Sequence, residues 1–140
     1  MTKILLVEDE DLFAAMIQKS LAPFGYEVVR ARHGKEALKL YEPQTMGLVL
    51  TDLIMPDMEG VELIVALRKA HPAVKVIAMS GGGRNQPATY LAIAQQVGAV
   101  KTLAKPFPLE ELLRTVRECL DPRPHPPAPG VSSPRVPPVA

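Results

Sequence analysis

The sequence is short of several things, and each shortage removes a class of function. It holds one cysteine, Cys119, so no intrachain disulfide can form and nothing points to an oxidising compartment. With no second Cys or activating His nearby in sequence, Cys119 reads as a small apolar filler near a helix end. An excess of either charge is also missing. Sixteen Lys and Arg stand against 15 Asp and Glu, and Asp121, Arg123 and Arg135 account for the difference, leaving residues 1–120 neutral. A neutral domain without a basic stripe offers little to nucleic acid. Long apolar runs are absent too. Ile4 to Val7 is cut off by four consecutive acids, too short for the apolar region of a signal peptide, and no segment approaches the roughly 18 apolar residues of a spanning helix. A cytoplasmic protein with no membrane segment is expected. His33, His71 and His125 lie far apart, and the Gly81-Gly82-Gly83 triplet lacks a dinucleotide or P-loop fingerprint. There is no internal repeat.

What is present is a chain of 140 residues, enough for one domain with a sizeable core. Eight of its 15 prolines fall in the last 20 residues, so residues 121–140 read as a Pro-rich disordered tail following a folded domain of residues 1–120. A partner-binding role for that tail is the alternative. Within the domain, short β-rich runs (Lys3 to Val7, Glu27 to Ala31, Gly47 to Thr51, Val74 to Met79, Val100 to Ala104) alternate with amphipathic stretches. That alternation predicts βαβ units, with five parallel strands and helices on both faces. The first helix is expected to carry Leu12, Phe13, Met16, Ile17 and Leu21 on one stripe, with Gly25 as a left-handed cap. The second presents Ala37, Leu38 and Tyr41, and the third Leu63, Ile64 and Leu67. The fourth opens near Pro87 with Tyr90, Leu91, Ala94 and Val97, and the fifth repeats Leu109, Leu112, Leu113, Val116 and Leu120.

If those strands hold, every βα loop opens on one sheet edge, where open parallel sheets bind ligands. Glu8 and Asp9 follow the first strand, Asp52 the third, Ser80 the fourth and Lys105 the fifth. Taken singly these are ordinary. Acids after a strand often cap helices, a Ser before glycines is usually a turn residue, and a loop lysine is usually solvated. Together they place three carboxylates and one ammonium on one edge. Like charges about 4 Å apart cost on the order of 4 kcal/mol per pair at an effective dielectric near 20. A divalent cation restores the balance, and with oxygen ligands only, Mg²⁺ is expected and zinc disfavoured. A carboxylate beside Mg²⁺ and an ammonium can attack a phosphoryl group, giving an aspartyl phosphate at Asp52 that Ser80 and Lys105 would contact.

The segments KILLVEDE, TDLIMPDMEG, MSG (Met79 to Gly81) and KPF (Lys105 to Phe107), in this order, resemble the receiver domain of bacterial two-component response regulators over residues 1 to about 120. The resemblance implies a flavodoxin-like doubly wound sheet of order 2-1-3-4-5. It implies that Asp52 is the phosphoacceptor, that Asp9 binds Mg²⁺ directly, and that Glu8 acts on it through water. The Ile54 backbone carbonyl would be a further metal ligand, Ser80 the switch hydroxyl, and Lys105 the phosphate-binding lysine before a cis Pro106. At Thr102, three residues before that lysine, the family often has an aromatic switch residue, so this sequence departs from the pattern that usually couples to the hydroxyl. The glycine-rich loop before Pro87 looks longer than in compact receivers.

The expected function is a stand-alone receiver, monomeric or weakly dimeric. It would take phosphate from a histidine kinase or phosphotransfer protein and signal to an unidentified downstream protein. Catalysis would be confined to its own phosphorylation and dephosphorylation. Two other readings are a phosphorylation-independent interaction module of the same fold and a small Mg²⁺-dependent phosphatase working through an aspartyl phosphate. The phosphatase is disfavoured because Ile54 stands where a second acid would be needed, two residues after Asp52.

Overall fold

A computed structural model describes residues 2–53, 60–81 and 87–120, with side chains left aside at 81 and 87–91. Five strands, β1 (Thr2–Val7), β2 (Tyr26–Ala31), β3 (Met46–Asp52), β4 (Val76–Gly81) and β5 (Lys101–Lys105), alternate with five helices. The helices are α1 (Asp11–Leu21), α2 (Gly34–Leu40), α3 (Gly60–Ala70), α4 (Pro87–Val97) and α5 (Leu109–Leu120). All strand pairs are parallel and the order is β2-β1-β3-β4-β5. This is the expected doubly wound, flavodoxin-like sheet.

The central strands are apolar on both faces because both faces are covered. Leu5, Val7, Val49 and Ala78 point to a layer formed by α2, α3 and α4, where Ala37, Leu63, Ile64, Leu67 and Ala94 are buried. Ile4, Leu6, Leu48, Leu50, Ile77 and Met79 point the other way, against Ala14, Ile17 and Leu21 of α1 and Leu112, Val116 and Cys119 of α5. Consecutive residues of a strand thus serve opposite layers.

Several sequence expectations need correcting. Leu12 and Met16 do not join the α1 stripe: Leu12 is 82% exposed and Met16 48%, while Ala14, Ile17 and Leu21 are buried. At 100° per residue, Leu12 and Met16 lie well over a right angle from Ala14, and the small Ala14 lets that side of the helix sit close on the sheet. Leu38 is exposed for the same reason of phase, whereas Ala37 faces inward; Leu109 shares the face of the buried Leu112 and Leu113 but is the first residue of α5 and is left 42% exposed at the helix start. Gly25, at φ 91°, caps a short 3₁₀ turn, Ala22–Phe24, that follows α1. His33 caps α2 by accepting from the Glu36 amide at 3.2 Å, and the Glu36 carboxylate accepts from the Arg32 amide at 2.6 Å.

Strand ends also differ from the sequence reading. Asp52 and Lys105 are the last residues of their strands, and Ser80 lies within β4. The ladder continues that far because Asp52 pairs with Met79 and Gly81 with Lys105. The first residue of α3, Gly60, donates its amide to the Leu53 carbonyl at 2.8 Å. A Cβ there would overlap the Asp52 carbonyl oxygen and lie 2.6 Å from the Leu53 Cα, so only glycine lets α3 begin this close to the end of β3.

Candidate functional site

The ends of β1, β3, β4 and β5 deliver the chemically active side chains to the carboxyl edge, two after β1 and one from each of the others. Just past β1, Glu8 donates its amide to the Ala31 carbonyl at 3.0 Å, which extends the β1–β2 ladder by a step and buries the residue. Its carboxylate accepts from the Glu10 amide at 3.1 Å and from Lys105 Nζ at 3.0 Å. Glu10 is the N-cap residue of α1 but its own side chain makes no cap bond. Asp9, next to Glu8, is exposed.

Asp52 is buried, with Lys105 Nζ 3.7 Å from Oδ2. Its neighbour Thr51 donates its hydroxyl to the Asp52 carbonyl at 2.9 Å, steadying the strand end. Ser80 is fully buried, and its Oγ has no hydrogen-bond partner among the described residues. Lys105 precedes the cis peptide to Pro106, as expected.

The structure therefore brings Glu8, Asp9 and Asp52 together, with one ligand oxygen from each lying within 4.8 Å of the others. Lys105 spans two of these carboxylates. Burial raises the Glu8 carboxyl above its ordinary value, opposed by Lys105 and assisted to a lesser extent by the Asp52 charge. An all-oxygen set carrying excess negative charge fits a hard divalent cation, so these residues could hold a metal ion. Ile54 with residues 55–59, the glycine-rich segment 82–86 ahead of Pro87, and the tail at 121–140 lie outside the described residues. Thr102 is half-buried in β5, opposite Ala78.

Two contributors were not anticipated. The Phe13 ring lies 4.1 Å from Lys105 Nζ and meets Phe107 edge-on at 6.0 Å, so an aromatic wall backs the ammonium. Phe13 looked like one more stripe residue, and nothing in its spacing signals a partner some 90 positions away. Arg30, near the end of β2, donates Nε to the Glu8 carbonyl at 2.9 Å and pairs through Nη1 with Asp11 at 2.7 Å. Arg32 also reaches Asp11, at 3.1 Å, and the two arginines hold the Asp11 carboxyl below its usual range.

No described helix is long and apolar enough to cross a membrane. The sensor kinase CckA of Brucella abortus (strain 2308) is 38% identical over 120 residues, covering 84% of this chain but 12% of the kinase. This chain thus spans a small part of that relative. The response regulator receiver protein CpdR of the same strain is 29% identical over 125 residues, covering 86% of this chain and 98% of CpdR. Among solved structures, the response regulator protein TrrA from Thermotoga maritima, in complex with Mg(2+)-BeF, superposes with a TM-score of 0.73 at 28% identity, covering 86% of this chain and all (100%) of that one. The family model for the response regulator receiver domain matches residues 4–117. With its strand order, its carboxyl-edge acids and its lysine, this chain belongs to the response regulator receiver domains of two-component signalling.

Proposed function

We propose that this receiver accepts a phosphoryl group on Asp52 from the phosphohistidine of a histidine kinase or phosphotransfer protein, and signals through altered binding to a protein partner. The observation that carries the reading is the single ammonium of Lys105, shared between Glu8 and Asp52 beside a three-carboxylate cluster. In the transfer, an Asp52 carboxylate oxygen forms a bond to phosphorus as the P–N bond breaks. The imidazole nitrogen leaves with the electron pair and takes up a proton. Lys105 offers a cation to a phosphoryl oxygen, and the buried Ser80 hydroxyl, without a partner among the described residues, offers a donor to another. Mg²⁺, when bound, would neutralise charge on the transferred oxygens. Asp9 and Asp52 would hold it, with Glu8 supporting and the Ile54 carbonyl supplied by family likeness.

Phosphorylation adds about −1.5 to −2 charge where Lys105 already serves two carboxylates. Lys105 is thereby drawn from Glu8 toward the phosphoryl group, and the β4 and β5 ends respond. Thr102 makes the aromatic version of that response inapplicable here, so Ser80 and Lys105 carry it. Residues 1–120 form the signalling domain and residues 121–140 an appended tail. Within this scheme the chain is a signalling protein whose only catalysis is on its own phosphorylation state.

Incubation with Mg²⁺ and acetyl phosphate, followed by intact-mass measurement, tests the assignment. Wild type should gain one phosphoryl group and Asp52→Ala none. A gain that survives Asp52→Ala, or one unaffected by chelating the metal, would overturn it. Partner capture from native cells, with and without the phosphodonor, tests the signalling half: capture indifferent to phosphorylation would favour a constitutive interaction module.

A further inference from the structure

Arg30 is an unusual occupant of its position. It lies near the end of β2 among Val28, Val29 and Ala31, and its side chain is only 17% exposed. One of its nitrogens, Nη2, is buried without a hydrogen-bond partner among the described residues. A packing role would be met more cheaply by an apolar side chain, because a buried unsatisfied N–H is costly. The other two nitrogens are both spent on one segment. Nε donates to the carbonyl of Glu8 at 2.9 Å, and Nη1 pairs with the carboxylate of Asp11, the first residue of α1, at 2.7 Å. The Glu8 amide is held to the same strand through the Ala31 carbonyl. The peptide groups on both sides of Glu8 are thus tied to β2, and the exposed Asp9 lies between the two points that Arg30 grips.

We propose that Arg30 is a positioning residue for the cation site: by bridging the Glu8 carbonyl and Asp11 it fixes the turn from which Glu8 and Asp9 present their carboxylates to a divalent cation. The proposal rests on reading that carboxylate cluster as a Mg²⁺ site. Arginine is needed because its planar fork reaches two acceptors at once, whereas a lysine ammonium is a point charge on a flexible stem. Arg32 shares Asp11 but has no bond to Glu8, so it anchors the helix start without holding the turn.

The test is a Mg²⁺ titration of the full chain, followed by amide chemical shifts, for wild type, Arg30→Met, Arg30→Lys and Arg32→Met. Loss of an outer partner of a metal ligand typically lowers metal affinity about 10–100-fold. Arg30→Met is expected at the lower end of that range, Arg30→Lys is expected to fall between it and wild type, and Arg32→Met is expected to match wild type. The Asp52 phosphorylation rate of Arg30→Met should recover to the wild-type value at saturating Mg²⁺, with only the half-saturating concentration shifted. A general structural defect would not behave that way. In metal-free buffer the Glu10 amide, which bonds the Glu8 carboxylate, should exchange faster in Arg30→Met. Wild-type affinity in either Arg30 variant overturns the proposal, as does a phosphorylation defect that Mg²⁺ does not rescue. If Arg30→Met does not fold, Arg30→Lys carries the same decision. Failure of wild type itself to bind Mg²⁺ would overturn the site reading beneath it, an outcome distinct from binding that ignores Arg30.

Discussion

Glu8 carries a conflict that its sequence neighbourhood hides. The side chain is 2% exposed, accepts from Lys105 and Glu10, and shares its surroundings with Asp52. Burial raises its pKa above the unfolded value, so the folded state binds the proton more tightly than the unfolded state does. Its contribution to stability is therefore most favourable below the unfolded value of 4.5 and is lost as pH rises through the raised folded value. Glu8→Gln, which imitates the protonated side chain and leaves Lys105 paired with Asp52, is expected to raise the thermal midpoint of the metal-free protein at neutral pH. The gain should shrink toward zero as the pH falls to about 4.5. Thermal denaturation in chelator across that range checks it, and a variant less stable than wild type at pH 7 would contradict the account. Cys119 is quieter: burial raises its thiol, which suits a core filler on the inner face of α5.

The helices are set by phase rather than by count of apolar residues. In α1 the sequence offers Leu12, Phe13, Met16, Ile17 and Leu21, but the sheet takes Ala14, Ile17 and Leu21. Ile17→Ala should cost about 2–5 kcal/mol. Leu12→Gln should stay within about 0.5 kcal/mol, since the side chain it removes is largely in water. Urea unfolding of both variants decides the matter, and equal losses would place Leu12 in the core after all. Phe13 is partly buried against the same layer as Ile17 and also presents its ring to Lys105. At the other end of the sheet edge, Gly60 lets α3 begin against the backbone of Asp52 and Leu53. The strand end that presents Asp52 is thus braced by a helix start, by Thr51 and by the Met79 carbonyl, which accepts from Leu53 at 2.9 Å.

At the scale of the molecule, two apolar layers enclose one sheet, and among the described residues their members lie within residues 4–120. A chain ending at Leu120 is therefore expected to keep its fold and its Asp52 phosphorylation, with a thermal midpoint close to that of the full chain. A large loss of stability would show that the Pro-rich tail packs on the domain. Cation binding should also be felt globally. A ligand that binds only the folded state adds about 2.7 kcal/mol at one hundred times its dissociation constant. Mg²⁺ should accordingly raise the thermal midpoint of wild type, and should do so far less in Asp52→Ala.

The alternation of short β-rich runs with helical spacing was enough to read a parallel βαβ sheet, because each local period records which faces are covered. The quoted motifs pointed to Glu8, Asp9, Asp52, Ser80 and Lys105, since strand ends in such a sheet must share an edge. Strand pairing decided what no local pattern could: that β3 runs on through Asp52 and that β5 ends at Lys105. It also set which side of α1 meets the sheet. The roles of Phe13 and Arg30 belong to tertiary structure alone. Each acts on a residue distant in sequence, Phe13 on Lys105 and Arg30 on Glu8. The sequence determined which side chains reach the carboxyl edge, through periodicity and chain order. Only the packed sheet decided their distances, their burial and their shared lysine, because those depend on contacts between segments that no local spacing encodes.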